Sequence, residues 1–340
     1  MTAAGDAAPR TAVVHHHSGI GDLICHFPYL RAIAARSRDG RVSVIARPSS
    51  KAAELLAAQD WVERVIEFDR KPRRSENRRG RHDGLAAQWA FVRALRALRF
   101  ERIYILSGRA RYAALARLAG IPWRAGYGYT RAQRLLLNAP PYIARHAGAG
   151  SWVHPEATAF ALAHGLSDGP LLPRLDVPAA ALEEGQRTLE ALPRPRYAFA
   201  IGASLPAKRW PEARYAELAA ALAAGGAGIA LVGGPAEAQI AQAIVAGVPE
   251  ALRPRLRVVA QPSILASAAV LRLCDVCVGN DTGALNLAVA VGTPSVGLFG
   301  ASPPLLDDPL LHGVRGEGMA AIEVDAVRAA LRRLPAAERA

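Results

Sequence analysis

The sequence predicts an α/β fold of two doubly wound, parallel-sheet domains that face a cleft. Three observations carry this expectation. Short apolar runs alternate with helical patterns. The alternation breaks once, between residues 177 and 196, and then restarts. The chain has 340 residues, 51% of them hydrophobic, enough to fill two cores.

In the N-terminal half, Thr11–His17 reads as a strand and Asp22–Arg36 as a helix. Val42–Arg47 is a strand and Ser50–Ala58 a helix. Val62–Phe68 is a strand and Leu85–Arg99 a helix, and Arg102–Leu106 and Ala110–Leu118 repeat the pair. Such alternation implies right-handed βαβ units and a parallel sheet. Trp123 to Pro141 is less regular. In the second half, Tyr197–Ile201, Ile229–Val232, Leu256–Val259, Val276–Val278 and Ser295–Phe299 read as strands. The helices between them are Pro211–Ala224, Ala236–Val245, Ser263–Leu273 and Asp281–Val291. The expected division is a first domain over 1–178, a linker over 179–196 bracketed by Pro178, Pro193 and Pro195, a second domain over 197–322, and a closing helix within 323–340.

No apolar run reaches membrane-spanning length, and the first ten residues lack a signal-peptide pattern, so a cytoplasmic protein is expected. Cys25, Cys274 and Cys277 cannot build a disulfide framework. The last two have C-x-x-C spacing with no second pair for zinc, and buried structural thiols are expected. Residues 1–178 hold 27 Lys and Arg against 14 Asp and Glu, whereas 179–340 hold 15 of each. The whole net charge of +13 therefore lies in the first half. Nucleic acid, a phosphorylated glycolipid and an anionic membrane surface all suit such a half. Arg70, Lys71, Arg73, Arg74, Arg78, Arg79 and Arg81 crowd one polar segment between a strand and a helix. It reads as a solvated loop or as a docking lip for an anion. It has no aromatic residue for base stacking, so nucleic acid is not expected.

Gly19-Ile20-Gly21-Asp22-Leu23 joins the first strand to the first helix. Asp22 suits an N-cap and equally a general base. The turn is half of a dinucleotide fingerprint, but Ile24 stands at the third glycine's place and the second strand ends in Arg47 rather than an acid. His15 and His17 share one strand face and His16 takes the other; no further ligand cluster accompanies them, and no metal is expected. Further on, Val276–Val278 runs into Gly279-Asn280-Asp281-Thr282-Gly283, a small-residue helical pattern and a run ending in Phe299-Gly300. That reads as strand, phosphate-sized turn, helix, strand. The Thr282 hydroxyl and the N–H groups from Gly283 onward face the open end of the sheet, which suits a diphosphate. Asp281 is placed for ligand hydroxyls, and Asn286 lies one turn on. Lys208 is either a solvated loop lysine or a cation for a leaving diphosphate, to which Ser204 adds a hydroxyl. Glu237, after Gly233-Gly234-Pro235, complements a helix dipole or binds a ligand. The chain has no Asp-x-Asp to hold a divalent metal.

The order of Gly19-Ile20-Gly21-Asp22-Leu23, Ser204-Leu205-Pro206-Ala207-Lys208-Arg209-Trp210-Pro211, Gly233-Gly234-Pro235-Ala236-Glu237 and the Asp281-Thr282-Gly283 block resembles the family-9 glycosyltransferases, the ADP-heptose:lipopolysaccharide heptosyltransferases. The resemblance runs from about residue 11 to about 330. It implies the GT-B architecture of two Rossmann-like domains, with a closing helix that packs back on the first. It implies that Asp22 is the general base and that Glu237 accepts from the nucleotide ribose. The donor it implies is a nucleotide sugar, ADP-heptose, with no other cofactor. The family usually has His where this chain has Asn286.

The reading is then an inverting, metal-independent glycosyltransferase. Ser204, Lys208, Glu237, Asp281, Thr282, Gly283 and Asn286 hold the donor, with Lys208 also catalytic. An anionic glycan or lipopolysaccharide-core-type acceptor meets His17, Gly21, Arg73, Arg74, Arg78 and Arg79. Peripheral contact with the inner face of the plasma membrane is a further expectation. Two other classes stay open: a non-catalytic nucleotide-sugar or nucleic-acid-binding protein on the same fold, motivated by Asn286, and an NADP oxidoreductase.

Overall fold

A computed structural model describes residues 8–71, 77–148, 151–203, 205–260, 263–300 and 307–334. The chain divides into two compact units, Met1–Pro173 and Arg174–Ala340. In the first, β1 (Thr11–His15), α1 (Ile20–Ala34), β2 (Val42–Ala46), α2 (Ala52–Leu55), β3 (Val62–Glu67), α3 (Leu85–Ala97), β4 (Arg102–Leu106) and α4 (Ala110–Leu118) follow the expected alternation. Then come β5 (Trp123–Gly126), α5 (Arg131–Leu136) and α6 (Val153–Ala163). The strands form one parallel sheet in the order β3-β2-β1-β4-β5. Every residue of β1 and β2 is buried, so neighbouring side chains serve the helical layers on both faces. Ala12, Val14, Ile103 and Ile105 meet Phe91, Val92 and Leu95 of α3 in one core.

The second unit runs α7 (Ala179–Leu189), β6 (Arg196–Ala200), α8 (Glu212–Ala224), β7 (Gly228–Gly233), α9 (Ala238–Ala246), β8 (Leu256–Ala260), α10 (Ile264–Leu273), β9 (Val276–Asn280), α11 (Gly283–Ala290), β10 (Ser295–Phe299), β11 (Leu311–Arg315) and α12 (Val324–Arg333). Its strands are again parallel, in the order β11-β10-β9-β6-β7-β8. Phe199, Ile201, Trp210, Tyr215 and Leu298 lie in its core.

One segment differs from expectation. The stretch 179–196, read as a linker, contains α7, which packs on α10. A Cβ at Gly185 would lie 2.9 Å from Leu273 Cδ1, so glycine allows the helices their close approach. Pro178 is the N-cap of α7; the proline marks a helix start rather than a tether. The closing helix α12 packs on α8, β10 and β11, with Val324 and Val327 buried in the second unit's own core.

In each sheet the direction of strand addition reverses beside the unit's first strand, between β1 and β4 and between β6 and β9. A doubly wound sheet leaves its ligand crevice at the carboxyl ends of such strands. The cysteines are buried and free, and burial pushes the Cys277 thiol up to about 12. Among the described residues no helix is long and apolar enough to cross a membrane.

Candidate functional site

In the second unit, the β6–α8 loop carries Lys208 and the residue after β9 is Asp281. Because β6 and β9 are neighbours, Lys208 Nζ lies 2.6 Å from Asp281 Oδ2. The aspartate side chain is 8% exposed and the lysine 31%. Two residues beyond Lys208, the Trp210 ring is fully buried, packs edge-on to Tyr215 at 4.8 Å and donates from Nε1 to the Ile322 carbonyl at 2.9 Å. The loop is thereby pinned close to its cation.

Asn280, unassigned by the sequence, ties the two strand ends together. Its Oδ1 accepts from the Trp210 N–H at 3.0 Å and the Tyr215 hydroxyl at 3.1 Å. Its Nδ2 donates to the carbonyls of Ile201 at 3.0 Å and Gly202 at 3.1 Å. The buried amide uses donors and acceptor alike. Asn280→Asp keeps the shape but turns a carboxylate oxygen toward two carbonyls. It should lower the unfolding free energy in urea by about 2–4 kcal/mol. A loss within about 0.5 kcal/mol, the range of ordinary surface changes, would show that the clamp is dispensable.

Thr282 is the extended N-cap of α11, and Gly283 is the first residue of that helix. Thr282 Oγ1 is buried and has no hydrogen-bond partner among the described residues. The first N–H groups of a helix also lack intrahelical acceptors. This turn therefore offers a hydroxyl and amides beside Lys208. Two of the expected donor residues also make local contacts. Asn286 is buried and its Nδ2 donates to the Thr282 carbonyl at 3.1 Å, the acceptor one helical turn back. Glu237 Oε2 accepts from the Gly234 N–H at 2.9 Å and closes the Gly-Gly-Pro turn as a capping acid. Ser204 lies outside the described residues.

In the first unit, Gly19 is the N-cap of α1, so Asp22 is the third helical residue and not the N-cap. Its carboxylate folds back against Gly19, where a Cβ would stand 2.8 Å from Oδ2. Burial raises the Asp22 pKa, and a hydrogen bond from the Gly19 backbone opposes the rise. Gly21 is buried in the same turn. His17 Nδ1 lies 3.9 Å from Asp22 Oδ2. Burial, then His16, His26 and Arg109, push His17 down to about 2, so the imidazole is neutral and the contact is not an ion pair. His15 and His26 are buried with their Nδ1 atoms 2.9 Å apart. Among the described residues no group of three or more His, Cys, Asp or Glu could hold a metal ion.

Of the basic segment, Arg78 binds the buried Asp69 carboxylate at 2.5 Å and Arg81 pairs with Glu67. Arg78 is thus engaged inside the unit, while Arg79 is exposed and Arg73 and Arg74 lie outside the described residues. The sequence missed a different cluster. Arg47 follows β2, Arg70 follows β3, and Arg109 and Arg111 open α4 after β4. None of them is ion-paired among the described residues. Burial, then the charge of Arg70, with Arg109 and Arg47 adding, pull Arg111 below the usual guanidinium range. Arg109 and Arg47 also lie close enough to depress His16. The readable signal was an arginine just past three successive strands.

Two parallel α/β units, a carboxylate at the first strand–helix turn, and a lysine beside a helix start at the second switch point are the parts of a GT-B glycosyltransferase. Residues 88–318 match the model of glycosyltransferase family 9 (heptosyltransferase), and the chain belongs to that family. Lipopolysaccharide heptosyltransferase 2 of Escherichia coli is 31% identical over 242 residues, which span 65% of this chain and 66% of that enzyme, just under two thirds of its length. The solved E. coli ADP-heptose lps heptosyltransferase II has a TM-score of 0.75 at 23% identity, covering 95% of this chain and 97% of that one. E. coli heptosyltransferase WaaC with ADP-2-deoxy-2-fluoro heptose has a TM-score of 0.71 at 23% identity, covering 95% and 99%. These structural likenesses show the fold. Membership of the family replaces the NADP oxidoreductase reading.

Proposed function

We propose that the chain moves heptose from ADP-heptose to an anionic acceptor of lipopolysaccharide-core type, with inversion at C1 and without a metal. The observation that carries the donor half is the buried, unpartnered Thr282 hydroxyl at the start of α11, beside Lys208. The diphosphate takes this hydroxyl, the α11 amides and Lys208, and Asp281 turns to sugar hydroxyls. An acceptor oxygen attacks C1 from the face opposite the leaving group. The new C1–O bond forms as the C1–O(phosphate) bond breaks, the hydroxyl proton goes to Asp22, and the charge appearing on ADP is met by Lys208. The relative WaaC, solved with ADP-2-deoxy-2-fluoro heptose, supports the choice of donor. This reading carries a cytoplasmic location with it.

Thermal shift against ADP, UDP, GDP and NADP tests the donor, since binding to the folded state adds stability. ADP should give the largest shift; a larger one for NADP would overturn the reading. Chelating divalent cations should leave turnover unchanged, and silencing that magnesium reverses would end the metal-free mechanism.

For the acceptor, Arg47, Arg70, Arg109 and Arg111 stand around the end of β1 and His17, with the exposed Arg79 further along the segment after β3. Arg70→Ala with Arg111→Ala should raise the KM for a phosphorylated acceptor at low salt, by about tenfold per charge-assisted bond lost. The effect should shrink as salt rises, because exposed charges are screened beyond about 8 Å at physiological ionic strength. ADP affinity should not move. Equal KM values for variant and parent at low salt would return these arginines to the solvated surface.

A further inference from the structure

Helix α3 buries Phe91, Val92 and Leu95 against the first unit's core, as an amphipathic helix should. Its other face is unusual. Leu85 is 88% exposed and Trp89, one turn on, is 50% exposed. Arg93 and Arg96 continue that side, and the remaining exposed positions are all alanine: Ala86, Ala90, Ala94 and Ala97. A solvent-facing helix ordinarily mixes acids, amides and bases. Here the exposed face holds apolar groups and guanidinium groups alone. The nearest acid in sequence, Asp83, precedes the helix.

Both ends of the helix add cations. Ahead of it stand the exposed Arg79 and Arg81. Behind it, Arg99 takes a left-handed backbone, φ 51°, at the position after the helix where glycine is usual. With Arg96, Phe100, Ala119 and Gly120 it lines a hollow in the surface. Arg96 is held there by donating to the Leu118 carbonyl at 2.6 Å.

We infer that this face of α3 docks on an anionic lipid bilayer. Leu85 and Trp89 enter the boundary between headgroups and acyl chains. Arg93 stays at phosphate level, and the Arg96–Arg99 hollow receives a lipid phosphate. An apolar stripe flanked by arginine, with an aromatic ring at its edge, is the composition that lies in a membrane interface. Charge complementarity selects the partner: the whole +13 of the chain lies in the half that carries α3, and anionic leaflets attract clustered arginines. Apart from the flanking Arg79, the surface is separate from the residues assigned to transfer, so its failure and the failure of the proposed reaction are told apart by separate readouts.

The test is co-sedimentation of the full chain with phosphatidylcholine vesicles with and without phosphatidylglycerol, alongside turnover on a soluble acceptor. The parent should partition onto the anionic vesicles at least about tenfold more than onto neutral ones. Leu85→Ser with Trp89→Ser should reduce that partition by about tenfold or more. Arg93→Ala with Arg99→Ala should do the same, by about fivefold per charge. Soluble-acceptor turnover should be unchanged in both variants, and the melting temperature unchanged in the arginine variant, whose altered side chains are exposed. Equal partition of parent and variants would overturn the inference, and so would equal binding to neutral and anionic vesicles. Self-association that the serine variant abolishes, with no vesicle binding by the parent, would assign the face to a second copy of the chain and likewise overturn it.

Discussion

Asp22→Asn should lower turnover by about 100-fold or more, as loss of a general base does, and leave ADP affinity nearly intact. The substitution keeps the shape of the side chain and its contact with the Gly19 backbone, so it isolates the basicity of the group. It also separates two roles by their effects on stability. Burial raises the folded-state pKa of Asp22 above its ordinary value of 3.8. The stability gained from binding that proton is full below the unfolded value and lost as pH rises through the folded one. At pH 7 the ionised carboxylate therefore destabilises the fold, and Asn should match or exceed the parent in melting temperature. The acid limb of the turnover profile should fall above the range of an exposed carboxylate. Unchanged turnover with a lowered melting temperature would leave Asp22 a capping residue only.

Lys208→Ala should weaken ADP binding by about 1.5–3 kcal/mol, the size of a charge-assisted bond. It should also lower stability by about 1–2 kcal/mol, less than for a fully buried pair because the lysine is 31% exposed. Adding Asp281→Asn should recover most of the stability and none of the ADP affinity. Titration calorimetry and urea unfolding of the two single variants and the double variant close the cycle. Recovery of affinity in the double variant would mean that Lys208 acts only by neutralising Asp281.

Apolar runs at strand positions and helical spacing between them made most of both units legible. What escaped lacked that contrast. Trp123-Arg124-Ala125-Gly126 has no apolar run because β5 is a sheet edge held by β4 alone. Leu311–Arg315 escaped for the same reason, with β10 its single neighbour. Within the site, Lys208 and Asp281 were each legible from their strand ends. Their contact was not, being 73 residues apart in sequence. Arg47, Arg70 and Arg109 are scattered along the chain, and the order β3-β2-β1-β4 is what gathers them on one edge. Asn280 looked like a turn residue in a polar motif; its burial between two strand ends depends on β6 lying beside β9.

The 2.6 Å contact between Lys208 and Asp281 bears on how a catalytic cycle would end. Any phosphate that takes the lysine draws it from a carboxylate that is largely out of water, and that carboxylate loses its close cation. A nucleotide still carrying its sugar brings hydroxyls to the aspartate as it brings oxygens to the lysine. Spent ADP brings only the oxygens. Under the proposed reaction, the pair therefore favours the loaded nucleotide over the spent one. Departure of ADP is assisted by the return of lysine to aspartate, and inhibition by accumulated product is correspondingly weak.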